Sequence, residues 1–213
     1  MKTADVIARL AQLRVIPVII LDNAADAQPL AEALLAGGLP CAEVTFRTAA
    51  ALEAISIMAK VPGLLVGAGT VLKPEQAQAA ADAGAQFIVT PGFNPRVVSY
   101  CVDHGIPITP GVSNPTIIEM ALEHGLNVVK FFPAEASGGL PYLKAIAAPY
   151  GMMRFIPTGG IEPGNLRDYL AFPKVVACGG SWMVKPELLK ARDWSIVTAL
   201  AAEAVLLAKG EKK

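Results

Sequence analysis

No apolar run in this chain reaches the ~18 residues needed to cross a bilayer; stretches such as Val15 to Leu21 fall far short. No block of one charge stands out either. Eighteen basic residues balance eighteen acidic ones, which leaves capture of nucleic acid or of an anionic membrane without electrostatic support. The expected partner is a small molecule. No Ser/Gly-rich linker divides the 213 residues, so a single domain spanning 1–213 is expected. Cysteine is sparse: Cys41, Cys101 and Cys178 are odd in number and form no CxxC or Cys/His cluster. A disulfide framework and a structural zinc site are therefore not indicated, and buried, reduced thiols in a cytoplasmic protein are expected instead. Histidine is scarcer still. His104 and His124 each stand directly before a glycine at a helix end, where a cation suits the negative end of the helix dipole. We read both as caps, which leaves a metal-dependent site few ligands to draw on.

What the chain does have is apolar content, with a mean hydropathy of +0.48, distributed in short segments. It belongs in a core and in a subunit interface. Asp5 and Arg9 among Val6, Ile7, Leu10 and Leu13 predict an amphipathic N-terminal helix rather than a signal peptide. Then Val15 to Ile20 reads as a β-branched strand and Asp26 to Ala36 as a helix closed by Gly37-Gly38. The same unit recurs. Strands are expected at Cys41 to Phe46, at Leu64 to Val66 leading into Gly67-Ala68-Gly69-Thr70, at Phe87 to Val89, at Ile106 to Thr109, around Lys130, at Arg154 to Pro157 and at Val175 to Cys178. Helices are expected from Ala49 to Lys60, from Pro74, from Pro95 to His104, from Pro115 to His124, from Pro163 to Leu170 and from Ser195 to Lys209, with a solvated tail after that. Gly84, Gly105 and Gly125 stand 21 and 20 residues apart, each ending a helix just before a strand. Glycine takes the left-handed turn required there without steric cost. Eight strand–helix units in this length predict an α/β fold, a (β/α)8 TIM barrel with an extra N-terminal helix. An open doubly wound sheet is the alternative, but Leu21-Asp22-Asn23 stands where its Gly-rich turn would follow the first strand.

Within Val128-Val129-Lys130-Phe131-Phe132 one cation interrupts a run that otherwise reads as a buried strand. Stripping an ammonium of water costs several kcal/mol unless the group is paired or gives up its proton, and a neutral amine attacks carbonyls. Lys130 is thus a candidate Schiff-base nucleophile, the other reading being a strand-end lysine that reaches solvent. Side-chain parity on the second strand puts Glu43, Thr45 and Arg47 on one face. In a barrel whose reactive groups stand at the carboxyl ends of the strands, Glu43, Arg47 and Lys130 share one mouth. Strands seven and eight end in Thr158-Gly159-Gly160 and Gly179-Gly180-Ser181, where barrels often seat phosphate on backbone N–H groups. The alternative for each is a tight turn.

Glu43-Val44-Thr45-Phe46-Arg47-Thr48, Val66-Gly67-Ala68-Gly69-Thr70-Val71, Val129 to Glu135, Pro157-Thr158-Gly159-Gly160-Ile161 and Gly179-Gly180-Ser181-Trp182 together resemble the KDPG/KHG aldolase family, KDPG being 2-keto-3-deoxy-6-phosphogluconate. The resemblance runs nearly end to end. It implies a homotrimeric class I aldolase of the Entner–Doudoroff pathway that yields pyruvate and glyceraldehyde 3-phosphate with neither metal nor organic cofactor. It assigns the Schiff base to Lys130, acid/base work to Glu43, and the pyruvoyl carboxylate to Arg47 and Thr70. Phosphate contacts fall around Gly159, Gly160, Gly180 and Ser181. Thr158 stands where the family's gluconate enzymes carry Thr and its galactonate enzymes Val. Phe46 replaces a more usual Leu, with a parity that turns it towards the helices. Activity on 4-hydroxy-2-oxoglutarate is also implied. The competing readings are the sister aldolase for the 6-phosphogalactonate epimer, a phosphosugar isomerase or synthase on the same barrel, and a non-catalytic barrel in which Lys130 is merely ion-paired to Glu43.

Overall fold

The computed structural model describes residues 2–210; Glu211-Lys212-Lys213, most of the expected tail, lie outside them. Helix α1 (Thr3–Leu13) precedes the first strand, β1 (Val15–Ile19). Strands β2 (Cys41–Thr45), β3 (Leu65–Gly69) and β4 (Phe87–Val89) follow, and all pair in parallel with their neighbours. Strand β5 consists of two short pieces, Ile108–Thr109 and Gly111–Val112. It runs past the expected end because Pro110 breaks the ladder without breaking the path. Proline cannot donate, yet its carbonyl accepts from Lys130 N–H at 2.9 Å, so the chain pairs with β4 before the proline and with the next strand after it. That strand is β6 (Val128–Phe131), followed by β7 (Arg154–Pro157) and β8 (Cys178–Gly180). Bridges Phe155↔Val175 and Thr158↔Gly179 join β7 to the β8 segment, and β8 pairs with β1 from Val15↔Cys178 to Pro17↔Gly180. The barrel closes, as expected of a (β/α)8 fold.

Between the strands run α2 (Ala27–Ala36), α3 (Ala51–Met58), α4 (Pro74–Asp82), α5 (Pro95–Asp103) and α6 (Pro115–Glu123), then α7 (Gly139–Ala147), α8 (Leu166–Leu170), α9 (Pro186–Ala191) and α10 (Trp194–Lys209). Two starts show how sequence sets them. Asn94 and Asn114 accept from Arg96 N–H and Ile117 N–H, and the proline that follows each has no N–H to leave unpaired. The ends obey the glycine spacing, since Gly84, Gly105 and Gly125 all have positive φ. His104 and His124 do cap: each ring Nδ1 donates to the carbonyl four residues back, at 2.8 Å.

Three expectations need correction. The eighth strand begins at Cys178, with Val175 contributing only a bridge, because the chain reaches pairing distance of β1 only at Cys178. Pro163 does not open α8; a turn intervenes and Asn165 stands at the N-cap. Gly210 closes α10 with φ 81° instead of beginning a tail.

Strand parity divides the core in two. Outward residues such as Val44, Ala68, Ile88 and Val129 pack under the helices, and Phe46 joins them as its parity requires. Inward residues Ile16, Cys41, Leu65, Phe87 and Val128 stand near the strand starts, and Val6 and Leu10 of α1 pack into them. The extra helix thus plugs the amino end of the barrel. Inward positions further along the strands remain for chemistry.

Candidate active site

The second inward layer is where polarity begins. Glu43 on β2 and Lys130 on β6 are only 2% and 6% exposed, and Lys130 Nζ donates to Glu43 Oε1 at 3.4 Å from across the barrel. Strand geometry fixes both: Cys41 and Val128, two residues earlier, lie in the apolar plug beneath them. Gly69 makes room for the carboxylate. A Cβ there would stand 2.8 Å from Glu43 Cγ and closer still to its Oε1. On the other side, Lys130 Nζ sits 5.0 Å from the centroid of the Phe132 ring, within cation–π range. Thr45, of the same parity as Glu43, is spent on structure, its hydroxyl donating to the Ile19 carbonyl at 2.7 Å.

Beyond the Phe132 ring opens a cleft of about 420 Å³ lined by Phe132, Arg47, Thr158, Gly159, Gly160 and Ser181 among others, with Lys130 and Glu43 behind its wall rather than lining it. It lies at the carboxyl ends of β1, β7 and β8, where barrel enzymes act. Gly180 lines it too. Arg47, just past β2, donates from Nε to Thr70 Oγ1 at 3.4 Å, so Thr70 joins the same rim. Thr70 holds a φ of 55°, a left-handed conformation that a β-branched residue adopts at a cost. Six of the nine residues singled out in the sequence, Arg47, Thr158, Gly159, Gly160, Gly180 and Ser181, line the cleft, while Thr70 joins it through Arg47 and the Lys130–Glu43 pair reaches it through the Phe132 ring.

The loop after β7 has a particular geometry. Gly159 and Gly160 have φ of 96° and 79°, and the carbonyls of Thr158 and Gly159 accept from Ala134 N–H at 2.8 Å and Glu135 N–H at 3.1 Å. The bridge to β8 turns the Gly159 N–H towards the Gly179 carbonyl, whereas, among the described residues, the N–H groups of Gly160 and Ile161 have no acceptor. Successive free N–H groups on such a turn make a concavity suited to an anion.

Several contributors were not read from the sequence. Phe132 shares parity with Lys130, and this was its only signal. Gly69 stood within a quoted motif without a stated role. Glu135, whose carboxylate accepts from Tyr169 O–H beside the loop, belongs to a motif too. Asn165 gave no signal beyond being a polar residue before a helix. The three cysteines are free and buried, and burial pushes the Cys101 thiol up to about 12, far from nucleophilic use at neutral pH.

A closed (β/α)8 barrel with a buried amine–carboxylate pair behind the wall of a cleft at the strands' carboxyl ends is the architecture of a barrel enzyme acting on a small molecule. Comparison with known proteins narrows this. The family model for KDPG and KHG aldolase matches residues 6–200. A 2-dehydro-3-deoxy-phosphogluconate aldolase of Treponema pallidum is 56% identical over 195 residues, 91% of this chain and 93% of that protein. The crystal structure of the 2-keto-3-deoxy-6-phosphogluconate aldolase of Zymomonas mobilis with 3-phosphoglycerate is 46% identical, with TM-score 0.88 and coverage of 95% and 94% of the two chains. The KDPG aldolase of Legionella pneumophila, solved with pyruvate captured at low pH as a covalent carbinolamine intermediate, is 40% identical, with TM-score 0.90 and coverage of 96% and 98%. The chain belongs to the KDPG and KHG aldolase family and is an aldolase, a carbon–carbon lyase.

Proposed function

We propose that this aldolase cleaves 2-dehydro-3-deoxy-6-phosphogluconate to pyruvate and glyceraldehyde 3-phosphate through a Schiff base on Lys130. One observation carries the reading: a lysine 6% exposed, with one carboxylate at 3.4 Å, lies against the Phe132 ring of a cleft that also holds Arg47 and the acceptor-free N–H groups of Gly160 and Ile161. Proton transfer from Lys130 to Glu43 leaves a neutral amine beside a carboxylic acid. The amine adds to the substrate's keto carbon, and Glu43 protonates the carbinolamine hydroxyl so that water leaves and the imine forms. The carboxylate then takes the proton of the C4 hydroxyl, the C3–C4 bond breaks, and its electron pair runs to the imine nitrogen. Glyceraldehyde 3-phosphate departs. Reprotonation of the enamine at C3 and hydrolysis release pyruvate and regenerate the amine.

Arg47 suits the pyruvoyl carboxylate, because its planar fork binds bidentately and keeps its charge. Thr70 orients it. The phosphate belongs to the N–H groups around Gly159 and Gly160, with Gly180 and the Ser181 hydroxyl. The relatives support the reading: a carbinolamine with pyruvate requires an amine nucleophile in the Legionella enzyme, and 3-phosphoglycerate is a phosphorylated three-carbon acid close in size to the second product. Thr158, buried at the cleft, favours the gluconate epimer over the galactonate one. By the same site the enzyme acts on 4-hydroxy-2-oxoglutarate, at the expense of the phosphate contacts. The step belongs to the Entner–Doudoroff route in the cytoplasm, carried by one barrel domain over 1–213.

A homotrimer is what the family resemblance implies, and sedimentation at three times 22.2 kDa is the expected result, against which a monomer would count. For the reaction, the purified enzyme should release pyruvate and glyceraldehyde 3-phosphate in equal amounts from 2-dehydro-3-deoxy-6-phosphogluconate, and more slowly from the galactonate epimer. Isomerised substrate with no pyruvate would reverse the assignment.

A further inference from the structure

The unengaged N–H groups of the β7 loop are useful only if the loop keeps its shape, and two glycines in left-handed conformations cannot keep it alone. Its inner flank is held by the turn that follows β6: Ala134 and Glu135 donate to the carbonyls of Thr158 and Gly159. The outer flank rests on one side chain. Asn165 Nδ2 donates to the Gly160 carbonyl at 2.9 Å, and Asn165 Oδ1 accepts from Glu162 N–H at 2.9 Å. One amide thus ties both ends of Gly160-Ile161-Glu162 and turns the third carbonyl in succession away from the cleft. Only an amide of this length has a donor and an acceptor spaced for both. Glu135 seats the turn from beside it, since a Cβ at Gly160 would meet Glu135 Cβ at 2.6 Å.

We infer that Asn165 is a positioning residue for the phosphate end of the substrate, holding the N–H groups of Gly160 and Ile161 towards the cleft without touching the ligand itself. The inference rests on the proposed phosphate seat but not on the Schiff base. It assigns Asn165 to recognition of the phosphorylated half, leaving the carbon–carbon chemistry at Lys130 untouched.

The test compares the wild-type enzyme with Asn165→Ala in two ways. In turnover, the variant should show KM for the phosphorylated keto acid raised about tenfold, the equivalent of one or two hydrogen bonds. Its kcat/KM for 4-hydroxy-2-oxoglutarate should stay within twofold. In direct binding, calorimetric titration with inorganic phosphate should show an affinity for the wild type that the variant loses. Should Asn165→Ala fold poorly, Asn165→Ser, which suits a helix N-cap but cannot span Gly160 and Glu162, carries the same comparison. Equal losses on both substrates, unchanged kinetics, or phosphate binding that is absent from the wild type or equal in the variant would each overturn the inference. The phosphate titration decides even if the enzyme cleaves neither keto acid, so failure of the aldolase reading and failure of the Asn165 role remain distinguishable.

Discussion

Lys130 and Glu43 give up nearly all contact with water, their side chains 7% and 3% exposed, in return for a single 3.4 Å contact. Desolvating two ions costs several kcal/mol each, so a buried pair of this kind is a poor device for stability. In the proposed mechanism its value lies in setting a proton donor and acceptor beside the nitrogen that attacks the keto carbon. Glu43→Gln keeps the shape and an oxygen for Lys130 to donate to, but removes the carboxylate that the proposed mechanism uses to accept and return protons. Its kcat should fall roughly 10²–10⁴-fold while pyruvate still binds. Steady-state kinetics check this, and a change confined to KM would argue against the acid/base role. At this scale the sequence was informative where parity governs. Glu43 and Lys130 stood out because alternation on a strand is rigid and both break an apolar pattern. Asn165 did not stand out, because its role depends on a loop conformation that no periodicity encodes.

Strand β3 bears on the proposed chemistry by what it leaves out. Gly69 pairs with Thr45, and the absence of a side chain there lets the Glu43 carboxylate lie against the strand. Gly69→Ala should therefore push the carboxylate from its place and lower kcat at least tenfold, since small misplacements of a reacting group are expensive. Circular dichroism should show the barrel intact. Wild-type turnover in this variant would mean that Glu43 acts from some other position. Elements with a clean period, α1, α2 and α4 to α6, fall close to where the sequence predicts them. By contrast, α7 was not expected: Gly138 and Gly139 at its start have positive φ and Pro141 follows, so the local signal is that of a turn. The helix forms because Leu143, Ile146 and Ala147 bury one face against the barrel. The short α8 and α9 are set by tertiary packing as well, which is why Pro163 misled and Pro186 was passed over.

For the whole molecule, barrel closure brings together residues 87 positions apart in sequence and separates two jobs by depth. Val6 and Leu10 of α1 seal the amino end with apolar packing, and the carboxyl end is left polar and open. On the outer surface α10 returns to α2, where Thr198 Oγ1 donates to the Ala33 carbonyl at 3.1 Å, so the last helix meets an early one. This architecture was legible in the recurrence of strand, helix and glycine, because each unit repeats the same local demands. The closing geometry at β5 and β8 was not, because it depends on where neighbouring strands come within bonding distance.

The proposed mechanism turns on one nitrogen, Lys130 Nζ. Incubating the enzyme with pyruvate and sodium borohydride, then locating any added mass by peptide mass spectrometry, tests it most directly. Reduction of an imine to a stable adduct on Lys130 is the predicted result, with loss of activity in proportion to labelling. No adduct, or an adduct on another lysine, would contradict the Schiff-base mechanism and leave the buried pair without a catalytic role.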